Sequence, residues 1–525
     1  MSLHWLDILM LTVYMGALIG MGIYFSRRNN STEEYFVGGR SYSGWVIGLS
    51  MVGTSISSVT FLAYPADGFK TAWLRFLPNV MLPIGILIAA YVFLPFFRRT
   101  KTTSAYEYLE HRFGPSVRVY GAVTFIIGQL LRISIILYLL SLLIHEITGV
   151  SALMSVLLAG VFVGIYTVIG GIDAVIWTDV IQTIVLILGG LICIFVIINT
   201  LPGGLDQLLD IAFANNKLAF AEVVDGQVQE TSWAFSLSEK TGTMMLILGL
   251  STWLQEYGTN QNVVQRYAAA RNIHEARKAM FVSMINVPIW AFYMFLGTSL
   301  FVFFQVFPTQ DAGEMLNGVQ KAEQILPYFV INYLPPGITG IVIAAALAAA
   351  MSSLDSSINA ISTVGIHDIY RRHYVTGATD KHYLKMAHIF ASIASVIMIL
   401  GAILLNQTET KTLQDLATIL IGFVAAGIFG LYMFGFLTRI GNFLAVWIGI
   451  GAVFLFSLWT VLSSTGVLPE SLKVPFDLYY TPFLGHILLF ATALVAALLL
   501  MNKTKEKRDL TNLTVWTQDD QPIEH

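Results

Sequence analysis

Apolar runs long enough to cross a bilayer recur from one end of this sequence to the other. Spanning hydrocarbon as a helix takes about 20 predominantly apolar residues. Stretches near or above that length lie at 4–26, 45–66, 72–97, 117–147, 150–169, 175–199, 241–259, 279–306, 337–366, 385–405, 412–436, 441–464 and 482–501. The pattern predicts an all-α polytopic membrane protein with about 13 transmembrane helices. Composition agrees: of 525 residues, 56% are hydrophobic and 12% charged, about half the charged share of an average soluble domain. Most of this chain is solvated by lipid, which excludes a secreted, disulfide-stapled or nucleic-acid-binding protein. The single cysteine, Cys193, sits in an apolar run and reads as a small buried hydrophobe.

Lys and Arg counts orient the chain. With the N-terminus outside, the cytoplasmic loops hold 21 basic residues and the outer loops seven, leaving Arg132 mid-helix. That is a strong positive-inside bias, and it puts the C-terminus in the cytoplasm. The first segment lacks the basic start and cleavage site of a signal peptide, so it is expected to remain. The expected organisation is a first helix and cytoplasmic loop (1–44) and a first repeat (45–199). An extracellular loop (200–240) and a second repeat (241–436) follow, then two further helices (437–501) and a cytoplasmic tail (502–525).

The informative places are those where the apolar pattern fails. The second span carries Gly53-Thr54-Ser55-Ile56-Ser57-Ser58-Val59-Thr60 at its middle. Five spans later, the seventh carries Gly249-Leu250-Ser251-Thr252-Trp253-Leu254-Gln255-Glu256-Tyr257-Gly258-Thr259-Asn260. Interrupted helices five apart and opposite in direction mark a five-plus-five inverted repeat, here with discontinuous helices 2 and 7. Carbonyls freed by such breaks need a partner inside the membrane, and a cation is one. Packing of helices through small hydroxyl residues is the alternative. The ninth span adds Ser352, Ser353, Asp355, Ser356 and Asn359 within two turns. Hard cations choose hydroxyl, carbonyl and carboxylate oxygens, and this patch has neither imidazole nor thiolate for a transition metal.

Charges inside spans cost several kcal/mol unless paired or solvated. Three stand out: Asp179, Asp355 and Arg132. Arg132 is either half of a structural ion pair or an anchor for an anionic ligand, since guanidinium matches a carboxylate bidentately. His486 and His145 read as packing or interface residues. No nucleophile or metal constellation suggests an enzyme. No Gly-rich phosphate loop is present for ATP-driven transport either.

Four motifs resemble the sodium/solute symporters, a family with the leucine-transporter-like fold. They are Tyr166 to Ala174 leading into Trp177-Thr178-Asp179, Ser352-Ser353 through Asn359 to Asp368-Ile369-Tyr370, Asn260 to Arg266, and Gly38-Gly39-Arg40. Ser57-Ser58-Val59-Thr60-Phe61, Thr103 to Glu110 and Val175 to Asp179 resemble the bacterial sialic-acid branch.

The resemblance implies a sodium-coupled secondary active symporter that imports a small organic solute by alternating access. The solute would be a carboxylated sugar such as sialic acid. It implies a first Na+ site from the carbonyls of Gly53, Ile56 and Ala349 and the hydroxyls of Ser352 and Ser353. A second Na+ site would use Asp179, Ser352, Asp355 and Ser356. Substrate contacts would fall on Ser55, Ser57, Thr60, Arg75, Asn79, Arg132 and Asn260. Three residues depart from the family's pattern: Arg75 replaces an aromatic, Asn79 a glutamine and Asp355 a serine. The partners expected are sodium, the solute and the bilayer, with no nucleic acid, no organic cofactor and a functional monomer in the plasma membrane. Uptake of a neutral sugar or polyol is the alternative. A solute-sensing receptor is a remote one, since the 24 residues after the last span supply no output domain.

Overall fold

The computed structural model describes residues 3–26, 31–99, 102–224, 227–407, 427–464, 467–500 and 509–518. The described chain is almost wholly helical. Its two strands, Ala221–Val224 and Gln227–Glu230, form an antiparallel hairpin within the loop expected at 200–240. Among the described residues nine helices are long and apolar enough to cross a membrane. The count is ten if the pair Gly44–Ser55 and Val59–Lys70, bent by 61°, is one span.

Three differences separate this count from the sequence pattern. The spans expected at 150–169 and 175–199 belong to one stretch, Ala152–Thr200, interrupted only at Gly171. Gly171 has φ 60° and ψ −164°, a conformation open to glycine alone, so the chain changes direction without a loop. The Val168 carbonyl just before this turn accepts the Tyr35 hydroxyl at 3.2 Å. Second, the seventh span is an unbroken helix, Gly242–Thr259, too polar to pass as a candidate span. The sequence places a break inside it; the structure places the break at Asn260, whose extended backbone caps the next helix, Gln261–Ala269. Third, most of the span expected at 412–436 lies outside the described residues, which resume before Ile428–Leu437. The tail 502–525 is likewise mostly outside them.

The third span is broken in a way the apolar count hides. Pro78, Pro83 and Pro95 each open a new helical piece, with a π-turn at Ala89–Phe93 between the last two. Proline lacks an N–H and clashes with the preceding turn, so each one starts a helix more easily than it continues one.

The helix Ile338–Val364 forms the centre. In its span 89% of the most apolar stretch is buried, against 22% for Trp5–Phe25 at the periphery. It packs most extensively on Ala152–Thr200 and also on Pro115–Thr148 and Trp5–Ser26. The peripheral helix is tied to its start: Asp7 Oδ1 accepts Gly337 N at 2.7 Å and Gly340 N at 2.8 Å. A carboxylate there satisfies orphan amides and complements the helix dipole.

Candidate functional site

The helix Gly44–Ser55 ends where Ile56 turns extended, at φ −92° and ψ 120°. The chain re-enters helix at Ser58 through a π-turn, Val59–Ala63, before Tyr64–Lys70. Ser57 lies in the gap, and its hydroxyl accepts Val59 N at 3.2 Å. The break faces the serine-rich turn of Ile338–Val364. Ser352 Oγ lies 3.3 Å from both Ile56 O and Ala349 O. Ser353 Oγ lies 3.3 Å from Thr54 O and 3.4 Å from Ile56 O. Ile56, Ala349, Ser352 and Ser353 are each 1% exposed.

Those separations are long for O–H···O hydrogen bonds, which centre near 2.7–2.8 Å. They match oxygens that share a hard cation. With each ligand at about 2.4 Å in octahedral arrangement, neighbouring oxygens stand about 3.4 Å apart. Four of the five residues assigned to the first Na+ site are therefore brought together. The α-carbon of Gly53 packs against the helix Ala152–Thr200: a Cβ on it would meet Asp179 O and Thr183 Oγ1 at 2.9 and 2.8 Å. Thr54, one residue on, supplies the carbonyl that Ser353 meets.

The second set divides. Asp179 is fully buried, and its Oδ2 lies 2.8 Å from Arg266 Nη2. The same oxygen accepts from Ser50 at 2.7 Å, Thr54 at 3.2 Å and Ser356 at 3.4 Å. Asp355 faces another way, accepting from Tyr166 OH at 2.9 Å, Thr178 at 3.3 Å and Ser356 N at 2.6 Å. Ser352 belongs to the first cluster.

Arg266 is the residue that sequence reasoning quotes but gives no role. It also donates to Ser50 Oγ, Asn262 O and Ser356 Oγ at 3.0, 2.8 and 2.8 Å. Its helix Gln261–Ala269 is buried throughout although it is polar. Gln261 binds Ala105 N and Thr103 O, and Gln265 binds Phe36 O, Asn359 and Thr363. Buried polar groups must be paired. A polar helix in a charge-poor chain was thus the available signal.

The substrate residues also separate. Thr60 and Asn79 are buried, and Asn79 Nδ2 donates to Tyr64 OH at 2.9 Å, one turn beyond Thr60. Ser55 turns its hydroxyl back to Met51 O. Arg75 pairs with Asp67 at 3.0 Å. Asn260 is spent on its cap: Oδ1 accepts Asn262 N, and Nδ2 donates to Glu256. Arg132 sits half-buried midway along Pro115–Thr148. No carboxylate pairs with it among the described residues. His486 acts in packing: its Nδ1 accepts Gly427 N, so Nε2–H points at Gln255 Oε1, 2.9 Å away.

The far end of the second half-helix is held by a residue outside the spans. Lys217 Nζ donates to Phe69 O at 2.7 Å and Thr71 O at 2.8 Å and lies 4.0 Å over the Phe301 ring. Burial lowers its pKa to about 7, from about 10.4 in an unfolded chain. Between those values the unfolded state binds more protons, so stability rises with pH across that window. The apparent melting temperature should therefore climb from pH 7 to pH 9 more steeply than in Lys217→Met. Parallel curves would show that this amine carries no linkage.

The profile described as "Sodium:solute symporter family" matches residues 35–449. A sodium/sialic acid symporter of Aliivibrio fischeri is 31% identical over 521 residues, covering 96% of this chain and 98% of that one. One of Proteus mirabilis is 34% identical over 433 residues, covering 82% and 84%. A solved structure of a Na+-coupled sialic acid symporter superposes with TM-score 0.83 at 27% identity. It is described as a substrate-bound outward-open state with a novel Na+ site, and the match covers 96% of this chain and all of that one. A multi-pass helical architecture, a broken second span and a family match over most of its length make this chain a member of the sodium:solute symporter family, a transporter and not an enzyme.

Proposed function

We propose that this chain imports a carboxylated sugar of the sialic-acid class, driven by sodium. Arg132 is the observation that carries the substrate. A guanidinium midway along a membrane helix, with no ion pair, hydrogen bond or ring partner among the described residues, is costly unless a ligand or water meets it. A sugar carboxylate matches its paired N–H groups. Both bacterial relatives are named for sodium and sialic acid, which supports the same reading.

In this reading sodium binds at Ile56, Ala349, Ser352 and Ser353, with Gly53 in the same turn. It joins the broken second span to the ninth and completes the solute pocket beside Ser57, Thr60 and Asn79. Segments 45–199 and 241–436 form the two inverted repeats of a thirteen-helix protein, which rock to release both ligands inside. The N-terminus lies outside and the C-terminus in the cytoplasm. The protein works as a monomer in the plasma membrane, the inner membrane in a bacterium, without an organic cofactor.

Energetics favour more than one sodium. A charge crossing 100 mV is worth about 2.3 kcal/mol, and a tenfold gradient about 1.4. One sodium with a monoanion is electroneutral, so it supplies only the gradient term, about tenfold accumulation. Two sodiums supply about 5.1 kcal/mol, more than a thousandfold. The Asp179 and Asp355 region is where the second would bind.

The test compares a carboxylated sugar with its neutral analogue in proteoliposomes. Arg132→Ala should weaken uptake of the acid by roughly 10- to 150-fold, the value of a hydrogen bond to a charged group. The neutral analogue should be unaffected. Transport of the neutral sugar alone, equal in both forms, would assign Arg132 to structure.

A further inference from the structure

Where Gly44–Ser55 crosses Ile273–Val282, two glycines one turn apart bring the helices together. A Cβ on Gly48 would stand 2.5 Å from Val282 Cβ, and one on Gly44 2.8 Å from Lys278 Cβ. Small residues at that spacing permit close helix contact in lipid. The crossing leaves an open groove of about 680 Å³ on its flank, floored in part by Phe281 and Ile285 and topped by Trp45, Tyr91, Arg277 and Lys278.

The top of the groove is cationic and held by aromatic faces. Arg277 lies 5.0 Å from the Tyr91 ring centre and donates from Nε to Ala90 O, its other N–H groups meeting no acceptor among the described residues. Lys278 Nζ lies 5.4 Å over Trp45. Neither forms an ion pair among the described residues, and the neighbouring carboxylate of Glu275 is spent on Gly44 N. Trp45 and Tyr91 are each 58% exposed; Phe281 and Ile285 are 36% and 46% exposed. The basic pair stands near the start of the apolar helical run Ile273–Val306, a candidate membrane span.

Aromatic rings beside Lys and Arg at the end of a span occupy headgroup level. The groove is therefore amphipathic in one direction, two unpaired cations above and an apolar wall below. A soluble anion would use only its upper part. We propose that it binds an anionic phospholipid, the phosphate between Arg277 and Lys278 and an acyl chain along Phe281 and Ile285. Basic pockets between helices at the membrane surface recognise such headgroups. The site abuts Gly44–Ser55, the half-helix that leads into the break, so a bound lipid braces that half-helix. The proposal does not depend on the identity of the solute.

Native mass spectrometry of the full-length protein in detergent, titrated with phosphatidylglycerol or with phosphatidylcholine of the same acyl chains, tests it. The wild type should retain one phosphatidylglycerol in preference to phosphatidylcholine, and excess inorganic phosphate should not displace it. Arg277→Gln with Lys278→Gln should weaken phosphatidylglycerol binding roughly 30-fold, about fivefold for each charge, and leave phosphatidylcholine unchanged. Arg277→Lys with Lys278→Arg should keep the preference, which separates lost charge from misfolding. The proposal is overturned if the glutamine variant holds phosphatidylglycerol as the wild type does. It is equally overturned if phosphatidylcholine competes on equal terms, if phosphate displaces the lipid, or if the groove proves to seat a second copy of the chain.

Discussion

Ser352→Ala abolishes concentrative uptake in proteoliposomes carrying an inward sodium gradient: that is the expected result with the largest functional effect. The Ser352 hydroxyl lies 3.3 Å from one carbonyl freed by the broken second span, Ile56 O, and from one on its own helix, Ala349 O. In the proposed site it is the atom through which the two helices would share an ion. Its loss removes one ligand oxygen and the bridge at once. A hydrogen bond to a charged group is worth about 1.5–3 kcal/mol, so sodium affinity should fall by roughly 10- to 150-fold. Ser353→Ala, which loses oxygens at 3.3 and 3.4 Å, should fall in the same range. Ser362→Ala is the control. It lies on the same helix, but its hydroxyl bonds Ala387 O at 2.8 Å, away from the cluster, so uptake should persist. Undiminished sodium-dependent uptake in Ser352→Ala would remove the ion from this cluster.

What could be read in the sequence follows from which interactions are local. The bilayer sets the length of an apolar run, so the spans declare themselves residue by residue. The break at Ile56–Ser57 was legible for a similar reason, because five hydroxyl residues at mid-span have no lipid-compatible role unless the backbone opens. The seventh span shows the limit of that argument. Its polar residues are equally dense, but several are satisfied without a break: Trp253 Nε1 donates to Pro78 O and Gln255 meets His486 across helices, while Thr259 and Glu256 bond within the helix end. The helix therefore runs unbroken to Thr259. The turn at Gly171 was legible as the boundary between the spans expected at 150–169 and 175–199; that one glycine at positive φ would replace the loop was not. The oxygen cluster of Ile56, Ser352 and Ser353 was legible as residue types on two segments. The ion pair of Asp179 was not, because its partner is Arg266, 87 positions away. No spacing rule links the two.

That pairing matters most for the stability of the fold. Arg266 and Asp179 are 2% and 0% exposed in side-chain terms and 2.8 Å apart. Removing one member of a buried pair strands the other charge, at a cost of about 3–5 kcal/mol. Arg266→Gln should therefore lower the melting temperature sharply, because only the hydroxyls of Ser50, Thr54 and Ser356 remain to meet the Asp179 carboxylate. Asp179→Asn should cost a similar amount, as Arg266 keeps only Ser50, Ser356 and the Asn262 carbonyl. The double variant, neutral at both positions, should recover most of the loss, and a coupling energy near zero in the cycle would show that the pair is not formed. Sodium adds a second readout. With the guanidinium gone, Asp179 is left with hydroxyl neighbours that suit a hard cation. Sodium should then raise the melting temperature of Arg266→Gln by more than it raises that of the wild type, since a ligand that binds only the folded state stabilises it more the tighter it binds. An equal shift in both proteins would mean that sodium and the guanidinium do not compete for this carboxylate.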